Sequence, residues 1–412
     1  MLRSSTLPLA ALPRPGRAAA PIWVVVALAG WAGVIALGAQ LYAAVPRRAG
    51  FDLELLLVAG RRVAQGLSPY DASMLAGRPP SAVDLFYSYP PPVAQYLSLF
   101  ASVPSVLMLV AWGSLAVGGL LIAAVALGCT VAGQAVAGSA RTTWLAAGDL
   151  RRVLRLVGLP VLATAPFVFP FAIAILFGNL DAAFPLLYGL MLAGALAGGA
   201  RARFGMGARF AGGAGLAVAA VAVGVVILGL SLVAGGASPW LDYVTVLQAG
   251  SGAEIVDVRN IGPAAQMAIA LGGSESLARL AQIVVSVGAI ALTAWAAWDR
   301  DDPLESFGWA TAASLVVLPV TWFHYPVAML PVAVAAWLRS EPRGARRTVL
   351  GLLAGAIVVS VLAVALPVTV WIAVALVLLA VRRSLERAPA GVAAPALEPS
   401  RIPRFPLPGR DD

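Results

Sequence analysis

The sequence predicts an all-α polytopic membrane protein with short re-entrant or interfacial helices between its spans. Three observations lead to this class. The 412 residues are 60% hydrophobic and only 11% charged, whereas a soluble protein carries about a quarter charged residues. Mean hydropathy is +0.90. Apolar runs near the length of about 20 residues that a helix needs to cross the hydrocarbon core recur along the chain, and about ten of them are recognisable.

The apolar runs define the predicted spans in order. They cover residues 22–45, 104–132, 154–177, 181–199, 211–234, 277–298, 306–323, 325–338, 347–366 and 368–381. Two further apolar stretches, 91–102 and 261–272, are too short to span and are predicted to be re-entrant or interfacial helices. Residues 51–65 have the pattern of an amphipathic helix that begins at Asp52.

The distribution of arginine orients these spans. The chain has a formal net charge of +9 and contains no lysine. A basic chain can bind nucleic acid, but here the arginines cluster at the ends of apolar runs, as the positive-inside rule requires on the cytoplasmic side. With ten spans, all the clusters and both termini are cytoplasmic. The clusters are Arg3, Arg14 and Arg17; Arg141, Arg151, Arg152 and Arg155; Arg201, Arg203 and Arg209; Arg339, Arg343, Arg346 and Arg347; and Arg382, Arg383 and Arg387.

The same topology divides the chain into three parts. Residues 1–21 form a cytoplasmic N-terminal segment, and residues 22–387 form one membrane-embedded domain with an extracytoplasmic loop at 46–90. Residues 388–412 are rich in Pro and Ala, which predicts a disordered cytoplasmic tail. The richness in Ala, Gly and Arg is typical of a high-GC bacterial genome, so the expected location is the bacterial plasma membrane, and no nucleic acid is expected as a partner.

Polar residues that are candidates for chemistry fall on the predicted extracytoplasmic side. Asp52 is either a solvated interfacial acid, paired with Arg47 or Arg48, or a functional carboxylate at the edge of the first span. His324 is the only histidine, and it lies in an aromatic segment. It is either part of an interfacial aromatic belt or a buried imidazole that needs a polar partner.

Other candidates are less specific. Arg61 and Arg62 are either solvated or form a clamp for an anion, because guanidinium matches phosphate in a bidentate fork. Asn179, Asp181 and Asn260 are weaker candidates. The single cysteine allows no intramolecular disulfide and no thiolate metal cluster. The sequence contains no Walker loop, HExxH, GxSxG or paired CxxC motif.

Several short motifs, taken in order, resemble glycosyltransferase family 87, whose members are membrane enzymes of the GT-C class. Each motif alone matches the family only loosely. The specific signal is that the motifs occur in the family's order and lie on the same predicted side of the membrane. The motifs are Asp52 with Ala59-Gly60-Arg61, Gly66, Pro69-Tyr70 and Tyr89-Pro90-Pro91; Phe177-Gly178-Asn179-Leu180-Asp181; Trp240-Leu241-Asp242-Tyr243; Asn260-Ile261-Gly262; and Leu318-Pro319-Val320-Thr321-Trp322-Phe323-His324-Tyr325.

The resemblance implies a GT-C-like fold and an integral membrane hexosyltransferase. Such an enzyme moves a sugar, mannose in the family's best-known members, from a polyprenyl-phosphate donor to a glycolipid or glycan acceptor. It implies that Asp52 is the general base of an inverting displacement. Arg61, Arg62 and His324 are then candidates for the leaving phosphate, and Tyr70, Tyr89 and Tyr325 for the sugar or the lipid. No metal site and no cofactor are expected, although a role for a divalent cation stays open.

This sequence also departs from the family pattern. Asn179 stands where the family has Gln, and Asp181 where it has Asn. A span with a Lys-x-x-P motif, which the family carries before the segment corresponding to 211–234, is missing. Two alternatives therefore stay open: a degenerate, non-catalytic relative that acts as a scaffold, and a lipid or solute transporter, which would be expected to contain an internal repeat.

Overall fold

The fold is known from a computed structural model, which describes residues 19–44, 50–77, 87–136, 147–199, 206–299, 302–340 and 344–386. Every regular element in these ranges is helical, which confirms the all-α class. The helices are α1 Ala19–Ala44, α2 Phe51–Ala64, α3 Ala72–Leu75, α4 Pro91–Ser98, α5 Ser105–Val136, α6 Ala147–Val153, α7 Leu159–Thr164, α8 Phe169–Phe177, α9 Phe184–Gly199, α10 Met206–Gly235, α11 Ser238–Ile255, α12 Pro263–Ala270, α13 Glu275–Asp299, α14 Pro303–Val317, α15 Leu330–Arg339, α16 Ala345–Val361 and α17 Thr369–Leu385. The tail predicted at 388–412 lies outside the described residues.

Fewer helices qualify as membrane spans than the sequence predicted. Within the described ranges, four helices are long and apolar enough to cross a membrane: Ala20–Ala44, Ser105–Ala132, Leu180–Ala197 and Glu275–Trp295. Two further pairs of consecutive helices are each bent sharply at a short break, and they raise the number to six if each pair counts as one span. The predicted count of ten is therefore corrected to four, or up to six. The segments predicted after residue 300 do form helices, but they are too short, because α14 has 15 residues, α15 has 10, and α16 and α17 have 17 each.

Proline and glycine cause the two bends. The axis turns by 75° between Leu150–Phe167 and Phe169–Phe177. There Val168 has extended backbone angles and Pro170 follows at the start of α8. A continuous helix would need an N–H of residue 170 to donate to the carbonyl of Pro166, and proline has no N–H. The second bend, of 113°, separates Val221–Gly235 from Ser238–Gln248 at Gly236, which has a left-handed φ of 72°.

The short helices expected between spans are present. The amphipathic stretch after the first span forms α2, and the two short apolar stretches form α4 and α12. α2 buries one face in a cluster with α4, in which Leu56, Leu57, Tyr87 and Ala94 are almost inaccessible. α2 and α4 approach closely at Gly60, where an added Cβ would lie 2.9 Å from the backbone carbon of Leu97.

A second, larger core joins α5, α7, α9, α14, α15 and α17 through small and β-branched side chains. In contrast, only 11% and 17% of the residues are buried in the most apolar 18-residue stretches of α1 and α13. Exposed residues such as Ile35, Ile283 and Val287 cover these helices. Apolar surface of this extent on long helices indicates contact with lipid. The chain is thus a helical membrane protein, with a packed interior and a lipid-facing periphery.

Candidate functional site

Three segments that are far apart in the sequence meet at one polar cluster. Asp52 comes from the first turn of α2, Asn179 and Asp181 from the junction between α8 and α9, and His324 from the segment after α14. We call these four residues the Asp52 cluster. All four are among the candidates that the sequence placed on its predicted extracytoplasmic side.

A glycine fixes the start of α2 against the end of α8. Gly50 has a left-handed φ of 77°, and its N–H donates to the carbonyl of Leu176 at 2.6 Å. Its own carbonyl accepts the N–H of Glu54 at 2.7 Å, which begins α2. Asp52, which lies between these two anchored residues, is therefore held close to the end of α8.

A second glycine lets the α8–α9 junction approach α2. Gly178 ends α8 with a left-handed φ of 66°, and a Cβ at this position would lie 2.5 Å from the Cβ of Leu53. Only glycine fits both the conformation and the contact. Gly178 stands in one of the short sequence motifs, but the motif predicts no role for it. Its position directly before Asn179 was the available signal.

Asn179 connects the members of the cluster. Its Oδ1 accepts the backbone N–H of Asp181 at 3.0 Å, which fixes the orientation of the amide. Its Nδ2 then donates to Oδ2 of Asp52 at 2.8 Å and lies 3.1 Å from Nε2 of His324. The indole of Trp112 donates to the Asn179 carbonyl at 2.8 Å. Trp112 was not predicted, because one tryptophan in an apolar span carries no signal of its own.

His324 lies between two carboxylates. Its Nδ1 is 2.8 Å from Oδ2 of Asp181, and its Nε2 is 3.9 Å from Oδ2 of Asp52. Since Asn179 offers a hydrogen to Nε2, the network assigns the neutral imidazole with its proton on Nδ1, donated to Asp181. The result is a continuous chain of hydrogen bonds from Asp181 through His324 and Asn179 to Asp52.

The cluster is buried except at Asp52. Asn179, Asp181 and His324 are 2%, 7% and 6% exposed, whereas the Asp52 side chain retains 21% of its accessible surface. Among the described residues, Oδ1 of Asp52 has no hydrogen-bond partner. Asp52 therefore offers one free carboxylate oxygen at the accessible end of the chain.

The environment tunes the acidity of Asp52. Burial raises its pKa above the usual 3.8, and the nearby charge of Asp181 acts in the same direction. His324 and the hydrogen bond from Asn179 oppose this shift. A carboxylate with a raised pKa is a stronger proton acceptor at neutral pH than a solvated one.

Aromatic residues surround the cluster. The Tyr325 ring packs edge-on against His324, with their centroids 5.0 Å apart. The pKa of the Tyr89 phenol is well above its usual value because the ring is buried and the charges of Asp52 and Asp181 act on it. Tyr70 is fully buried, and its hydroxyl donates to the Tyr89 carbonyl at 2.7 Å. Tyr89 and Tyr325 thus border the cluster, while Tyr70 supports Tyr89.

The arginine pair does not join the cluster. Arg61 forms an ion pair with Glu54, 2.5 Å away. Arg62 donates to the carbonyls of Ser68 and Tyr70 at 2.8 and 3.2 Å, and so holds the turn that follows α2. In this arrangement both guanidinium groups serve groups of their own segment.

Asn260 also lies outside the cluster, but it positions one member. Its side chain donates to the Pro319 carbonyl at 3.0 Å and accepts the N–H of Thr321 at 2.9 Å. The backbone N–H of Ile261 adds a bond to the Thr321 carbonyl at 2.8 Å. Asn260 therefore ties the segment that leads to His324 to the loop before α12.

Comparison with known proteins gives no relative: no family model, no curated protein and no solved structure matches this chain. Within the described ranges, no group of three or more His, Cys, Asp or Glu side chains that could hold a metal ion occurs. The expectation that no cofactor is needed stays a prediction. The arrangement itself provides one accessible proton acceptor, backed by a buried Asp–His pair.

Proposed function

We propose that this protein is an integral membrane glycosyltransferase of the GT-C type, similar to family 87, in which Asp52 is the general base. The observation that carries the proposal is the Asp52 cluster itself. Three distant segments converge to leave a single carboxylate oxygen free at the accessible end of a buried hydrogen-bond chain. A structural ion pair needs no free oxygen of this kind.

The proposed reaction is one displacement. Oδ1 of Asp52 accepts the proton of an acceptor hydroxyl, and the hydroxyl oxygen attacks the anomeric carbon of the sugar. The bond from that carbon to the phosphate oxygen breaks, and polyprenyl phosphate leaves with the electron pair. The configuration at the anomeric carbon inverts. The base must lie within about 2.6–3.2 Å of the hydroxyl that it deprotonates.

The other members of the cluster hold Asp52 ready for this step. Asn179 donates to Oδ2, so that Oδ1 faces the acceptor. Asp181 orients the His324 ring through Nδ1. Tyr89 and Tyr325, which border the cluster, are the proposed platform for the sugar.

The donor is proposed to be a polyprenyl-phosphate hexose, with mannose expected, and the acceptor a glycolipid or glycan. His324 is the proposed partner of the leaving phosphate, because an imidazole N–H can donate to a phosphate oxygen; for this, Nε2 would have to exchange its present contact with Asn179. Arg61 and Arg62 would have to exchange their present partners to reach the donor. Because the family's Lys-x-x-P span is absent, no lysine is present to bind the leaving phosphate, and His324 is proposed to contribute more to that binding.

The proposed topology places both termini in the cytoplasm of a bacterial cell and the Asp52 cluster on the extracytoplasmic side of its plasma membrane. The contacts between helix ends support this sidedness. The end of α8 and the starts of α2 and α9 meet the segment after α14 at the cluster. At the opposite ends, Asp302 before α14 pairs with Arg339 at the end of α15, 2.6 Å apart.

The decisive experiment compares Asp52→Asn with Glu54→Gln in purified protein, supplied with polyprenyl-phosphate mannose and membrane glycolipid extract. Loss of a general base costs about 10²–10⁴-fold in rate. Asp52→Asn should therefore lose at least about a hundredfold in sugar transfer, with unchanged yield. Glu54→Gln keeps the same shape and contacts Arg61 and Ser105 instead of the cluster, so it should retain most of its activity.

The alternatives give different results. Transfer at the wild-type rate by Asp52→Asn would remove Asp52 as the base. Inactivity of the wild-type protein with every polyprenyl-phosphate sugar would favour the non-catalytic scaffold. Sugar or lipid movement across proteoliposomes without covalent transfer would favour the transporter.

A further inference from the structure

A large cavity lies outside the Asp52 cluster, among α1, α7, α15, α16 and α17. Its volume is about 560 Å³, and none of the four cluster residues lines it. Its walls are largely apolar, with Trp23, Pro160, Ala333, Leu353 and Val374 each contributed by a different helix. Cavities of about 300–1,000 Å³ with such walls are typical ligand sites.

The cavity extends along the whole of α16. Arg346 and Ser360, which lie at opposite ends of that helix, both line it. At 1.5 Å per residue, this interval measures about 21 Å. Leu350 lines the same cavity while 46% of its surface is exposed. The space therefore follows the helix axis and reaches the lipid-facing surface, which suits an extended hydrocarbon chain entering from the bilayer.

At one end of the cavity, the Arg346 guanidinium has a donor nitrogen without a partner in the described part of the chain. Nη2 of Arg346 is buried, and it has no hydrogen-bond partner among the described residues. A buried charged donor without an acceptor is costly, so the site lacks an anionic group. The neighbouring Arg347 is exposed and does not line the cavity. Trp337, at the same end, has the amphipathic ring that is typical of the membrane interface.

We propose that this cavity binds one anionic phospholipid, with an acyl chain along α16 and its phosphate on Arg346. Guanidinium binds phosphate through parallel hydrogen bonds, and a basic side chain at a helix end favours anionic lipid. The occupant is a membrane phospholipid and not the proposed sugar donor. Arg346 lies beyond the far end of α15 from His324, so a phosphate held there cannot reach Asp52.

The test uses the full-length protein, stripped of lipid in detergent and titrated with phosphatidylglycerol or with phosphatidylcholine of the same chains. Binding is read by native mass spectrometry. Phosphatidylglycerol should bind with a stoichiometry of one, and Arg346→Gln should weaken it at least tenfold, since hydrogen bonds to a charged group are worth about 1.5–3 kcal/mol. Arg347→Gln, the matched control at the adjacent exposed position, should bind like the wild type.

A second pair of variants tests the chain-binding part of the cavity. Ala333→Trp fills the space and should abolish the bound phospholipid, whereas Val358→Trp, on the exposed face of α16, should not. Equal binding of both lipids, or unchanged binding by Arg346→Gln, would overturn the proposal, as would recovery of polyprenyl phosphate from the cavity. Because binding is read without sugar transfer, failure here is separate from failure of the Asp52 mechanism. Asp52→Asn should retain the phospholipid.

Discussion

Replacing Gly178 by alanine tests how the site is brought together. An alanine with the observed φ of 66° costs about 1–2 kcal/mol relative to a helical conformation. Its Cβ would also lie 2.5 Å from the Cβ of Leu53, and overpacking of this kind costs about 1–3 kcal/mol. The two effects together predict a loss of about 2–5 kcal/mol in the free energy of unfolding.

Two other glycines separate the two effects. Gly66 has a left-handed φ of 76° but no atom within 4 Å of an added Cβ, so Gly66→Ala measures the backbone cost alone. Gly194 lies within α9 with the same open space, so Gly194→Ala should be neutral or stabilise by about 0.5–1 kcal/mol. The expected order of stability is Gly194→Ala, then Gly66→Ala, then Gly178→Ala.

The assay uses the single cysteine of the chain. Cys129 lies within α5 and is only partly accessible, so its reaction with a fluorogenic maleimide during denaturation by a detergent reports unfolding. Sugar transfer by the folded fraction should also fall more in Gly178→Ala than in Gly66→Ala, because Asn179 follows directly. If Gly178→Ala is no less stable than Gly66→Ala, the close approach to Leu53 does not hold the cluster together, and the reasoning is refuted.

Three further predictions follow from the cluster and the topology. Asn179→Ala removes a hydrogen bond that lowers the pKa of Asp52, so the proposed base should ionise only at higher pH. The acidic limb of the pH–rate profile should therefore move to higher pH. An unmoved limb would contradict the assignment of Asp52 as the base. Arg62→Ala loses two hydrogen bonds to the turn after α2; it should lower stability by about 1–3 kcal/mol, whereas a pure loss of donor affinity would instead show that Arg62 binds phosphate. In a Cys129→Ala background, exposed Gln65→Cys should react with an impermeant maleimide in intact cells and Arg347→Cys only after permeabilisation; the reverse pattern would refute the proposed sidedness.

The sequence by itself determined the class of the protein and included the four residues of the Asp52 cluster among its candidates. Apolar runs at membrane length predict helices because the hydrocarbon core leaves no other way to satisfy the backbone. Those helices appear at the expected places. Polar residues in an apolar chain are rare enough to stand out, which is why Asp52, Asn179, Asp181 and His324 could be selected before their contacts were known.

Only the tertiary structure decided how many helices are long enough to cross the membrane, which atoms of the Asp52 cluster are in contact, and which groups Arg61 and Arg62 bind. Helix length and bending depend on local backbone geometry at residues such as Val168 and Gly236, which hydropathy does not measure. The partners of Arg61 and Arg62 depend on which groups the turn after α2 brings within a few ångströms. Hydrogen bonds act only over such distances, so a sequence pattern can select the residues of a site, whereas only the packing of α2, α8 and the segment before α15 decides which atoms meet.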